Sequence, residues 1–204
     1  MKDKRSVKIG ILAEDQTDCK TIEVLVGRLL SASGKSASFS HRGKDGCANL
    51  RRKAKAWMGE LTDVGCAALI LIHDLDRNPS NHTLNDEAEL RGRLAQIPVP
   101  RGVAHHICIP VEEVEAWFWS CPTALERVAP GQGNSRAKPS PHLLPKPKEA
   151  LIKLSAAQHG GKARYTTGQN PELAALLDLE LCASRCPSFR DLRSFVIDSV
   201  ASAA

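Results

Sequence analysis

No apolar run in the 204 residues approaches the roughly 20 that a membrane-spanning helix needs, and the basic start Met1-Lys2-Asp3-Lys4-Arg5 leads into a short strand-like stretch without a signal-peptide cleavage pattern. The expected location is the cytoplasm. Seven cysteines, at positions 19, 47, 66, 108, 121, 182 and 186, form no Cys-x-x-Cys pair, which argues against a structural zinc site and leaves reduced core thiols. There is no internal repeat and no Ser/His/Asp or Cys/His nucleophile arrangement. Gly34-Lys35-Ser36 has leucine at position 29, where a phosphate loop needs glycine, which argues against nucleotide binding there.

What is present fits one α/β domain with helical additions. Val7 to Ala13 reads as a strand that ends in the polar knot Glu14-Asp15-Gln16-Thr17-Asp18. Ile22, Leu25, Val26, Leu29 and Leu30 then form one apolar helical stripe, with Gly34 as its stop. Ser36 to His41 is a weaker strand, followed by a basic helix to about Gly59. Cys66 to His73 is an uninterrupted apolar run, the pattern of a strand buried on both faces of a parallel sheet. A helix from Leu84 to Gln96, a strand from Val103 to Ile109 and a helix from Val111 to Ser120, opened by Pro110, complete an alternating order. The expectation is an α/β, Rossmann-like parallel sheet of about four strands flanked by helices over residues 1–121. Residues 122–204 are expected to form a long loop, Pro130 to Pro147, and a helical cap, with helices near 148–158, 171–181 and 188–200.

In open parallel sheets, ligands bind outside the carboxyl ends of the strands. That rule gathers acids here: Glu14 after the first strand, Asp74 and Asp76 after the third, and Glu112 and Glu115 soon after the fourth. Such a cluster repels itself unless a cation or proton neutralises it, and its oxygen ligands suit Mg2+ or Mn2+. If Val111 to Ser120 is one helix, Glu112 and Glu115 share a face that can look toward the cluster, and Glu113 is left apart. A duller account stands beside this one: Asp15 or Thr17 as a helix cap, and residues 74–78 as a polar turn. His73 reads as a strand-end core residue or as a supporting group beside Asp74.

The formal charge of +5 is unevenly spread. From Pro130 to Tyr165 there are seven basic residues against one acid, among them Arg136, Lys138, Lys146, Lys148, Lys162 and Arg164. A second cluster includes Arg42, Lys44, Arg51 and Arg52. Both are solvated faces or an electrostatic footprint for nucleic acid, with DNA the expected one; composition alone leaves the solvated faces ahead.

The segment from Ile9 to Asp18, followed by a helix and later by Leu71-Ile72-His73-Asp74-Leu75-Asp76, resembles the Toprim pattern of a glutamate after the first strand and Asp-x-Asp after the third. It departs from that pattern at Asp15, where Toprim sequences usually carry glycine. The spacing from Glu14 to Asp18 is similar to the Toprim domains of overcoming-lysogenization-defect nucleases, and this resemblance implies that both residues bind metal. Glu112-Glu113-Val114-Glu115-Ala116-Trp117-Phe118, Pro147-Lys148-Glu149-Ala150-Leu151 and Cys186-Pro187-Ser188-Phe189 resemble an uncharacterised bacterial Toprim-like family across most of the chain. The resemblance implies metal-assisted phosphodiester cleavage. Glu14 would act as acid or base, Glu14, Asp18, Asp74 and Asp76 would hold the metal, completed by Glu112 or Glu115, and Lys148 would stabilise the phosphate. Nucleic acid is the expected partner, and an ATPase a second one. The rival expectations are a catalytically silent binder of nucleic acid or an ATPase, and a phospho-receiver or phosphatase-like α/β domain.

Overall fold

The computed structural model describes residues 6–43, 46–78, 80–158 and 160–201. Four strands, β1 (Val7–Ala13), β2 (Ala37–Gly43), β3 (Ala68–Ile72) and β4 (Ala104–Cys108), form one parallel sheet in the order β2-β1-β3-β4. The helices that alternate with them are α1 (Gln16–Ala32), α2 (Gly46–Asp63) and α3 (Glu87–Ala95). The expected fold class, a four-stranded parallel sheet flanked by helices, is therefore the observed one. The chain divides by contact into two compact units, at other boundaries than residue 121. One is drawn from Met1–His73, Asp86–Ile109 and Asp191–Ala204, the other from Asp74–Asn85 and Pro110–Arg190.

The first unit is built around the sheet. All five residues of β3 are buried, and Ile9, Ile11, Leu12 and Ala13 of β1 have no solvent exposure. Ile9 pairs with Phe39, whose ring reaches Gly27 of α1. Gly10, pointing the other way, lies under Leu61 of α2, where a Cβ would stand 2.9 Å from Leu61 Cδ1 and 2.6 Å from Leu69 Cδ2. Helices α1 and α2 thus cover opposite faces, as right-handed crossovers in opposite directions require. The stripe expected on α1 is the buried one, and Gly34, at φ +70°, follows its end. The last turns of the chain, Val196–Ala201, lie against α1 in π-helical geometry, and Phe195 stacks on His106 of β4 at 5.2 Å.

The second unit is helical: α4 (Glu115–Phe118), α5 (Pro122–Val128), α6 (Gly133–Arg136), α7 (Pro147–Gln158), α8 (Asn170–Leu176), α9 (Leu179–Arg185) and the start of α10 (Pro187–Phe195). The stretch expected as a loop from Pro130 to Pro147 holds α6 and a 3-10 turn, Pro141–Leu143. The helix expected from Val111 to Ser120 is reduced to α4. Val111 instead bridges Leu75 in parallel fashion, and Glu112 adopts φ +62°, outside the right-handed helical region. No helix among the described residues is long and apolar enough to cross a membrane.

Candidate functional site

The first unit puts Glu14 at the carboxyl end of β1, one of the two central strands. The turn after it is fixed locally. Asp15 is the N-cap of α1 and accepts hydrogen bonds from the Thr17 and Asp18 amides at 2.6 and 2.9 Å, so the residue that departs from the Toprim pattern has a capping task. Gly43, at the end of β2, packs so closely on this turn that a Cβ would stand 2.5 Å from the Asp15 carbonyl oxygen. The Gln16 side-chain amide donates to the Gly43 carbonyl at 2.9 Å, and the Gly46 amide donates to the Glu14 carbonyl at 3.1 Å. The backbone that presents Glu14 is therefore held on both sides.

Glu14 keeps 21% of its side chain in solvent, and its Oε1 lies 3.8 Å from Nδ1 of His73, a residue 3% exposed just beyond β3. His73 is thus a buried strand-end residue, one of the two expectations for it, and its imidazole lies near Glu14. Asp18 sits in the first turn of α1, where the helix dipole favours a carboxylate. The nearby Cys19 thiol is pushed up to about 12, by burial first and then by the charges of Asp18 and Asp15, and supplies no thiolate at neutral pH.

The acids of the second unit have other partners. Asp74 is half-buried and Asp76 exposed, on a hairpin-like loop in which Arg77 bridges Leu84 and the Asn85 amide donates to the Asp76 carbonyl. Glu112, 6% exposed, accepts from Arg77 Nε at 2.6 Å and from the Lys146 amide at 2.8 Å. Glu115, 4% exposed, accepts from Asn170 Nδ2 at 3.0 Å and from the Tyr165 hydroxyl at 3.4 Å. Burial, reinforced by the Glu113 charge, pushes its carboxyl pKa up against the pull of Asn170. The expectation that Glu112 and Glu115 share a helical face toward the strand-end acids is corrected: no continuous helix joins them, and each carboxylate is engaged within its own unit. Among the described residues, no three His, Cys, Asp or Glu side chains form a group that could hold a metal ion.

Glu113, left apart in the helical reading, is the partner of Lys148. Its Oε1 accepts from Lys148 Nζ and its Oε2 from the Lys148 amide, at the start of α7. Partial burial works against the Lys148 charge, but the hydrogen bond and the field of Glu113, with Glu115 and Glu149 behind it, outweigh that and leave its pKa raised. The Trp119 indole donates to the Pro147 carbonyl at 3.1 Å, and the Trp117 indole to Ser188 Oγ at 3.1 Å, with Phe189 edge-on to Trp117 at 5.2 Å. The three motifs that stand out in this half of the sequence therefore bind one another. The Lys148 ammonium, expected to face a phosphate, faces a carboxylate. Arg77, Glu113, Tyr165 and Asn170 were missed as site residues. Glu113 and Lys148 lie 35 residues apart, and nothing in the local pattern marks their pairing, Tyr165 or Asn170.

The basic candidates are on both units. Arg42 pairs with Glu60 at 2.7 Å and Arg52 donates to Asn49 at 2.9 Å, while Arg51 is exposed on α2. Lys44 lies outside the described residues. Arg136, Lys138, Lys146, Lys162 and Arg164 are exposed on the second unit, Lys146 at φ +52°.

Fold and strand-end acid define an α/β protein with its candidate site at the carboxyl edge of a parallel sheet. Residues 13–196 match a domain of unknown function (DUF4276), and the chain belongs to that family. No curated protein and no solved structure matches it.

Proposed function

We propose that this protein works in the cytoplasm as a metal-dependent phosphodiesterase on nucleic acid, a Toprim-type nuclease of a bacterial defence or DNA-processing system, with Glu14 as its acid or base. The observation that carries the reading is the position of Glu14. In the order β2-β1-β3-β4 the chain leaves β1 toward one edge of the sheet and β3 toward the other, and ligands of such sheets bind where the order reverses. Glu14 ends β1 at that point, reachable by solvent and beside an imidazole. A carboxylate so placed can take a proton from an attacking water.

Mg2+ or Mn2+ is the cofactor that the reading calls for, and it would neutralise charge on the phosphate and acidify a bound water. With Glu112 and Glu115 committed elsewhere, the acids of the first unit left to hold it are Glu14 and Asp18. Magnesium commonly takes one or two carboxylates and fills its shell with waters and substrate phosphate, so a three-acid cage is not a requirement. The exposed arginines and lysines would bind the backbone without reading sequence.

The test is cleavage of supercoiled plasmid, single-stranded DNA and RNA with Mg2+ or Mn2+, with and without a partner ATPase. Wild-type activity that Glu14→Gln abolishes supports the reading; activity that survives in Glu14→Gln contradicts it. One observation favours a second reading, a catalytically silent binder of nucleic acid or an ATPase: the Lys148 ammonium is held by Glu113 rather than open to a phosphate. Binding of these nucleic acids without turnover under any of the conditions would select it.

A further inference from the structure

We infer that the second unit carries a separate binding site for a nucleoside monophosphate, in the cleft between α5, α8 and the segment that leads into α8. The cleft is about 580 Å³, inside the size range of small-ligand pockets. Arg127, Arg164 and Gln169 provide its polar wall, and Val128, Leu173 and the ring of Tyr165 its apolar one.

Three observations make this a built site. Ser155, fully buried in α7, accepts hydrogen bonds at its Oγ from the amides of Arg164 and Tyr165, both at 3.1 Å, and so pins the backbone that carries Arg164. Thr166 and Gln169 form a reciprocal capping box, in which the Gln169 side-chain oxygen accepts from the Thr166 amide, and this fixes the Gln169 side chain at the cleft wall. The Tyr165 hydroxyl donates inward to Asn170 Oδ1 at 2.6 Å and touches the buried Glu115, so the ring is what Tyr165 offers to the cleft. Groups fixed in this way lose little entropy when a ligand arrives.

The charge is also of one sign. Arg127 is bonded to Glu172 through Nε at 2.7 Å, whereas no acid among the described residues lies within ion-pair distance of Arg164, which is exposed. Glu126, the other acid near Arg127, is turned to the amides of Gly131 and Gly133 at 2.6 and 3.0 Å. A guanidinium presents its donors as a planar fork that matches phosphate oxygens. A phosphate on Arg164 and Arg127, with a flat base against Tyr165, Val128 and Leu173, accounts for both walls of the cleft. The site lies in the other unit from Glu14 and stands whether or not Glu14 is catalytic.

The experiment is calorimetric titration of the whole chain with adenosine 5′-monophosphate, adenosine and inorganic phosphate. Saturable binding of the monophosphate is expected, with adenosine and phosphate alone each at least about tenfold weaker, because each lacks one half of the contacts. Arg164→Gln, a change at an exposed side chain, should weaken the monophosphate at least about tenfold, and Arg127→Gln should also weaken it. Arg101→Gln, an exposed arginine of the first unit, should bind as wild type does. No saturable binding by the wild type up to about 10 mM, equal binding of phosphate or adenosine, unchanged affinity in Arg164→Gln, or an equal loss in Arg101→Gln would each overturn the inference.

Discussion

In the unit built on the sheet, Glu14 ends β1 with 21% of its side chain in solvent, next to His73. In the other unit, Glu112 and Glu115 are 6% and 4% exposed, one held by a guanidinium and a backbone amide, the other by a carboxamide and a phenol. Both settings looked alike in sequence, as acids just after a strand. The difference teaches that an acid at a strand end belongs to chemistry only where the chain has not already given it a structural task. Substitutions should therefore separate the units: loss of stability in the second, loss of activity in the first.

The largest loss of stability should come at Glu115. Glu115→Ala removes the acceptor of Asn170 and Tyr165 in a buried setting and should cost about 3 kcal/mol in urea unfolding. Glu115→Gln keeps the shape and adds a pH signature. Burial raises the folded-state pKa of Glu115, so the folded protein binds that proton more tightly than the unfolded chain. Its contribution is complete below the ordinary glutamate range and is lost as pH rises from there to the raised value. Relative to wild type, Glu115→Gln should gain stability as pH rises from the ordinary glutamate range through the raised folded-state value; a constant difference would show that Glu115 does not titrate there.

Arg77→Ala comes next, because it leaves Glu112 buried with only the Lys146 amide. Breaking a buried pair is costly, and the partial exposure of Arg77 reduces the expected loss to about 2 kcal/mol. Arg77→Lys should recover only part of it, since an ammonium lacks the fork. The smallest loss belongs to Glu113→Gln, about 1 kcal/mol, because the Lys148 pair is partly exposed and the Lys148 amide keeps an acceptor. A thermal melt that placed Glu113→Gln below Glu115→Ala would break the comparison within the second unit.

Much of the first unit was legible, because its signals are local. The apolar run ending at His73, the stripe of α1, the stop at Gly34 and the alternation of strands and helices all follow from backbone periodicity. The strand order was not, since pairing of β1 with both β2 and β3 is a property of crossovers rather than of any one segment. In the second unit, periodicity misled: Val111 to Ser120 reads as a helix, yet Val111 is drawn into a bridge with Leu75, and Glu112, bonded to Arg77 and the Lys146 amide, sits at positive φ. Glu113 and Lys148 are 35 residues apart in sequence, and no local pattern reveals which carboxylate a distant lysine will take. The same limit explains the candidate site. The position of Glu14 at a strand end was legible because a strand end is a local feature, whereas the partners of Glu112 and Glu115 lie on other elements.

The account turns on the claim that Glu14 is the functional acid and Glu113 a structural one. Its most direct test is the rate of Mn2+-dependent cleavage of single-stranded DNA by Glu14→Gln and by Glu113→Gln, compared at a temperature where both are folded. A catalytic acid or base is worth about a hundredfold or more in rate, so Glu14→Gln should fall by that much while Glu113→Gln stays close to wild type. If Glu113→Gln, fully folded, loses the activity and Glu14→Gln keeps it, the chemistry belongs to the second unit and the account is wrong.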